Sequence, residues 1–240
     1  ELMNSIFLAR RSNENNAKRG IVDFNKYKEK LKNILKTAGL STQSNWLDMV
    51  SNKEIGRQAA LARIILFYSS HDAIADGSTG LLQYGQPGTN PMLQLDLWNH
   101  VQYAQVEHIA PQNPDLQNWD QDIYDDDRII QTLGNLCLLS RDININASNY
   151  PWETKRLMYK VLVAKTPEIH TEAVADLKYH LQQAQINFTD YAEWTFQNAR
   201  YSAMESVANY SGIWARDIIE KRTKNILELA WTKLAPNLGL

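Results

Sequence analysis

Cysteine occurs once in 240 residues, as Cys137, so an internal disulfide is excluded. It sits in the apolar run Leu136-Cys137-Leu138-Leu139 and reads as a buried, inert thiol rather than a nucleophile. Net charge is almost absent. The 25 basic and 27 acidic residues leave −2 at pH 7, so no global field draws a polyanion to the chain. No apolar run is long enough to span a bilayer, and no secretory signal pattern is present, so no membrane partner is expected. A His-Glu-x-x-His zinc motif, a phosphate-binding glycine loop and a nucleophile elbow are all missing. The chain therefore carries no visible nucleotide hydrolase of its own. Apolar residues make up 44%, enough to build a core and too much for a disordered chain.

What is present is mostly helical periodicity. Phe24, Tyr27, Leu31, Ile34 and Leu35 recur at helical spacing, with Asp23 as a possible N-cap. Ile55, Ala59, Ala62, Ile65 and Leu66 mark a second helix that should run until Gly77, so that the first 76 residues read as helical. Residues 77–97, rich in Gly, Pro, Asn and Gln, form a long loop. A strand is expected over 101–109 and a short buried one over 135–140. Five aspartates between Asp120 and Asp127 make an acidic loop, read as solvent-facing. A helix begins near Pro151-Trp152-Glu153, and others cover roughly 171–185, 190–208 and 212–235. In the last, Trp214, Ile218, Ile219, Ile226, Leu227, Ala230 and Trp231 form a core-facing stripe. Basic clusters at Arg10-Arg11, Lys18-Arg19, Lys26 to Lys36 and Lys221-Arg222 read as solvated helix faces. The fold class is mainly α with a small β-hairpin. It divides into a helical part with a long loop (1–100), a strand-strand-helix unit (101–165) and a C-terminal helical part (166–240).

The chemistry-bearing residues concentrate in the middle stretch. Glu107 and His108 pair a carboxylate with an imidazole, followed by Ile109, Ala110, Pro111 and Gln112. Gly134-Asn135-Leu136-Cys137-Leu138-Leu139, Asn144, Asn149 and Lys155 come after them. Phosphodiester cleavage needs an activated water, charge neutralisation and a stabilised leaving oxygen. His108 suits the general base, since an ordinary histidine titrates near neutrality. In an extended strand, Glu107 and His108 would face opposite ways. A shared site therefore requires a bend, with which Pro111 is consistent. Given that bend, Glu107 and Asn144 offer oxygen ligands to one Mg²⁺ or Mn²⁺ ion rather than Zn²⁺. Each residue also has a plainer reading. Asparagines 135, 144 and 149 serve turns and caps in many proteins, and Glu107 needs only a nearby cation. His71, His100, His170 and His180 have no partner pattern. Trp98, Tyr103, Trp119 and Trp152 are read as packing residues before base-stacking ones.

The ordered set Glu107, His108, Ile109, Pro111, Trp119, Gly134, Asn135, Leu136, Leu138, Leu139, Asn144, Ser148, Asn149, Trp152 and Lys155 resembles the C-terminal domain family of GmrSD-type modification-dependent restriction endonucleases, within the His-Me finger (HNH) nucleases. The likeness covers roughly residues 101–160 and is looser over the distal helices. One position departs: where many HNH proteins carry a second histidine, this chain has Asn144. The resemblance implies a helical domain carrying a ββα-metal insert over 101–165. It implies His108, Asn135 and Lys155 as catalytic residues, with Asn135 holding His108 across the loop. It assigns the metal to Glu107 and Asn144, and substrate contacts to Asn149 and Arg141. The expected activity is a divalent-metal-dependent DNA endonuclease or nickase, the effector of a bacterial, cytoplasmic restriction or anti-phage protein. An N-terminal nucleotide-using sensor domain is the expected partner, and a chain opening on Glu1 rather than Met is expected to be a piece of a longer one. Two competing readings remain: a non-catalytic nucleic-acid-binding or regulatory module of the same fold, and an RNA-cutting toxin.

Overall fold

The computed structural model describes residues 24–115, 118–141, 143–144, 149–188, 194–196 and 201–240. Arg10-Arg11, Lys18-Arg19, the Asp23 cap and Ser148 lie outside the described residues, as do the side chains of Phe24 and Tyr27.

Helix α1 (Phe24–Thr37) buries Leu31 and Leu35, one turn apart, and leaves most of its lysines in water. Helix α2 (Gln43–Val50) is capped by Thr42, whose hydroxyl accepts from Asn45 N at 3.3 Å. Ile55 belongs to a separate 3₁₀ turn, Ile55–Arg57, and α3 runs only from Ala59 to Ser70. It stops there because Asp72 turns into the left-handed region, at φ 52°. The expected helix up to Gly77 is thus cut short. A hairpin replaces it: β1 (Ala73–Ala75) pairs antiparallel with β2 (Leu82–Tyr84). Gly77 and Gly80, at φ 53° and 81°, take the turn conformations that side-chain-bearing residues resist. Period-2 alternation cannot be read from three residues, so no pattern marked this hairpin.

After the short helix α4 (Leu95–Trp98) and a 3₁₀ turn at Val101–Tyr103, β3 (Gln105–His108) pairs antiparallel with β4 (Leu136–Leu139). Helix α5 (Trp152–Val163) follows, then α6 (Pro167–Gln183), entered through a Thr166 cap four residues earlier than periodicity suggests. No helix fills 190–208 among the described residues. Residues 194–196 are not helical, and a 3₁₀ turn at Ser202–Met204 leads into the short α7 (Glu205–Asn209). The closing helix α8 (Arg216–Leu238) carries the expected stripe, with Ile218, Ile219, Ile226, Leu227 and Ala230 buried.

Strand β4 lies at the centre, buried along its whole length. Its residues alternate between two cores. Leu136 and Leu138 enter one with Ile65, Leu66 and Phe67 of α3 and Ile226 and Leu227 of α8. Cys137 and Leu139 enter the other with Ile109, Trp152, Tyr159, Trp214 and Ile219. One correction concerns charge. Arg222, expected on a solvated face, is 2% exposed and donates through Nη1 to Gly134 O (2.6 Å) and Leu136 O (2.9 Å). Its neighbour Lys221 stays in water, paired with Asp217. Among the described residues no helix is long and apolar enough to cross a membrane.

Candidate active site

The register of the central pair sets which way each side chain points. Glu107 lies opposite Cys137 and His108 opposite Leu136, and opposed residues share a face. Glu107 therefore leaves β3 toward the core of Cys137, Trp152 and Tyr159, and His108 leaves on the other side. Strand β3 ends at His108 and the chain bends at Ile109 and Ala110, where Ile109 N donates to Asn135 O at 2.8 Å. Within the paired strand the two side chains still leave on opposite faces.

Lys155 connects the two faces. From the first turn of α5 its ammonium donates to Glu107 Oε1 at 2.7 Å and to the main-chain oxygen of His108 at 3.0 Å. The Lys155 side chain has no exposed surface, so the ammonium is spent inside the protein rather than held out where a phosphate approaches. Burial pushes the Glu107 carboxyl above the usual range, and Lys155 pulls it partway back. The Cys137 thiol across the ladder is pushed up to about 12 by burial and by the nearby Glu107, in keeping with an inert thiol.

The Gly134-Asn135-Leu136 run is explained residue by residue. Any Cβ at position 134 would fall within the contact radius of Ile219 O and 2.6 Å from Thr223 Oγ1, so only glycine lets the chain lie against α8. Gly134 N donates to that same Thr223 hydroxyl at 2.9 Å. Asn135, fully buried, acts as a spare peptide group. Its Oδ1 accepts from Ala110 N (2.8 Å) and Trp214 Nε1 (3.1 Å), and its Nδ2 donates to Ala110 O (2.9 Å) and Ile130 O (3.0 Å). Every donor and acceptor of the amide is used, and two of the four bonds clamp the segment two residues past His108.

The imidazole of His108 is half-buried and bonded at both nitrogens. Nε2 lies 3.1 Å from Gln131 Oε1, and Nδ1 lies 3.2 Å from Gln112 Nε2. Gln131 Nε2 in turn donates to Gln112 Oε1 at 3.2 Å, closing a ring of three side chains. Burial lowers the His108 pKa below its ordinary value; the Gln131 bond opposes this and the Lys155 charge adds to it. Gly56, in the 3₁₀ turn facing the ring, leaves the room: a Cβ there would lie 2.6 Å from Gln131 Oε1 and 2.9 Å from His108 Nε2.

Arg141 and Asn149 are exposed. Asn144 is half-buried, its N–H donating to Ser140 O at 3.0 Å. Among the described residues no hydrogen bond or ion pair joins these three side chains to Glu107, His108, Asn135 or Lys155. A carboxylate and an amide oxygen are donors suited to a hard divalent ion. No group of three or more His, Cys, Asp or Glu able to hold a metal occurs among the described residues. An ion here would rest on those two side chains and water. Tyr103, Trp119 and Trp152 are buried in packing roles. Trp98 is half-buried against the guanidinium of Arg63, 4.1 Å from its ring centroid. The acidic loop exposes Asp122, Asp125 and Asp127, while Asp126 pairs with Arg128 at 2.7 Å.

Sequence reasoning missed Gln131, Gly56 and Arg222. Gln112 stood inside the quoted motif without a role. Nothing local marks Gln131 or Gly56, because each matters only through contacts made far along the chain. Comparison with curated proteins finds no match. The family model described as GmrSD restriction endonucleases, C-terminal domain, matches residues 28–229. That match takes in β3, β4, α5 and nearly the whole helical frame, so the chain belongs to the GmrSD restriction endonuclease C-terminal domain family.

Proposed function

We propose that the chain is a divalent-metal-dependent DNA endonuclease or nickase of the HNH type, the effector domain of a bacterial, cytoplasmic defence protein. In that reading a nucleotide-using sensor domain or subunit directs it to phage or modified DNA. The order β3, β4, α5, with the helix returning Lys155 to the first strand, supports a ββα-metal core. The observation that carries the proposal is the state of His108. A general base must be neutral and held in place. His108 is kept neutral by burial, bonded at both nitrogens and set on a strand end that Asn135 clamps.

His108 takes the proton from the attacking water. Asn135 is a positioning residue that fixes the main chain beyond it. Lys155 pairs with the Glu107 carboxyl and ties it to the His108 main chain. Glu107 and Asn144 would hold Mg²⁺ or Mn²⁺, which when bound supplies charge neutralisation at the phosphate and the departing oxygen. Arg141 and Asn149, both exposed, are the candidates for backbone phosphate contact.

Supercoiled plasmid incubated with Mg²⁺, Mn²⁺ or EDTA tests this. Ion-dependent nicking by the native chain is expected. His108→Ala should abolish it while leaving the fold intact, and Glu107→Ala should cut poorly. Full cleavage by His108→Ala refutes the assignment. The buried Glu107–Lys155 pair gives both residues a structural reason to be present, which favours one rival: a non-catalytic nucleic-acid-binding module. That module would bind DNA in a salt-sensitive way and never nick it. Labelled RNA in the same assay tests the toxin reading.

A further inference from the structure

We infer that Gln131 is a positioning residue that decides which nitrogen of His108 carries the proton-accepting lone pair, and that Gln112 covers that nitrogen. The inference rests on the endonuclease reading and deepens it. Two primary amides and one neutral imidazole form a closed ring, with contacts of 3.1, 3.2 and 3.2 Å. Each amide offers an acceptor oxygen and a donor NH₂ group, and a neutral imidazole offers one of each. All three donors then point the same way round. His108 Nε2–H donates to Gln131 Oε1, Gln131 Nε2 donates to Gln112 Oε1, and Gln112 Nε2 donates to His108 Nδ1. The lone pair is on Nδ1. An imidazolium has no acceptor and breaks the ring at Gln112, so the ring favours the neutral form.

The two glutamines are not equivalent. Gln131 is 3% exposed, and its main chain is fixed in the 3₁₀ turn Ile129–Gln131. Gln112 is exposed, so it covers Nδ1 from the solvent side. Gln131 is therefore the fixed anchor that sets the tautomer. Gln112 is the movable cover that a water or a phosphate displaces to reach the base. The charged group acting on the ring is the Lys155 ammonium from α5, and the Glu107 carboxylate it holds lies on the opposite face of β3.

The test reads the tautomer of His108 by long-range ¹H–¹⁵N correlation on the full chain, labelled in histidine, without DNA or metal. The native chain is expected to show Nε2–H with an unprotonated Nδ1. Gln112→Ala should keep that state. Gln131→Leu should give a mixture of tautomers. Gln131→Glu, nearly isosteric, should keep Nε2–H, because a carboxylate at that position can only accept from it. An Nδ1–H tautomer in the native chain overturns the inference, as does an unchanged tautomer in Gln131→Leu or an Nδ1–H tautomer in Gln131→Glu. A chain with the expected tautomer that never nicks refutes the endonuclease reading instead.

Discussion

Among the described residues Lys155 is the only cation that bonds Glu107, and Lys155→Met leaves a carboxylate 6% exposed facing an apolar side chain. The native contact is 2.7 Å, with the lysine fully buried, and the same ammonium satisfies the His108 main-chain oxygen. Taking one partner from a buried pair typically costs about 3–5 kcal/mol, because the other charge stays behind. In a chain of this size that is a fall of about 6–20 °C in Tm. The loss should also depend on pH in a particular direction. The Glu107 carboxyl already titrates above its ordinary range, so the folded state binds more protons than the unfolded one between those values. Stability from this group therefore falls as pH rises through that window. Without Lys155 the carboxyl climbs further, so Lys155→Met should cost least in acid, where Glu107 is neutral, and most at neutral to alkaline pH. Urea unfolding of Lys155→Met, Glu107→Gln and the double variant across pH 5–8 measures this. The double variant should be more stable than the sum of the single losses predicts. A loss below about 1 kcal/mol, or one that does not change with pH, would mean that the pair is open to water and the burial reasoning is wrong.

Further outcomes follow from the same structure. Gly134→Ala forces a methyl into α8 at Ile219 and Thr223, and should destabilise by about 1–3 kcal/mol or more in denaturant unfolding. Asn135→Ala strands the Ala110 peptide and the Trp214 indole N–H, so a loss of about 2–4 kcal/mol is expected, with plasmid nicking falling before the fold is lost. The acid limb of the nicking rate should lie below the ordinary histidine value, since burial holds His108 neutral; a limb above that value contradicts the geometry. The same depression makes the stability contribution of His108 drop as pH falls through the ordinary histidine range, because there the unfolded chain binds the extra proton.

The sequence alone determined the amphipathic helices around Leu31 and Leu35, Ile65 and Leu66, and Ile218 to Ala230, since their apolar spacing has only one way to be buried. It also determined the buried strand Leu136–Leu139 and the family, because the Glu107 to Lys155 set is an ordered string that needs no coordinates. Tertiary structure decided the rest. Three-residue strands have no periodicity, so the β1–β2 hairpin was invisible. Arg222 looks like any surface arginine until two carbonyl oxygens are found waiting in the core. Glu107 and His108 are neighbours in sequence, yet strand geometry sends one to Lys155 and the other to Gln131. Which side of a strand a side chain takes, and which distant group it meets there, depends on pairing register and packing, and neither is encoded in any single stretch of the chain.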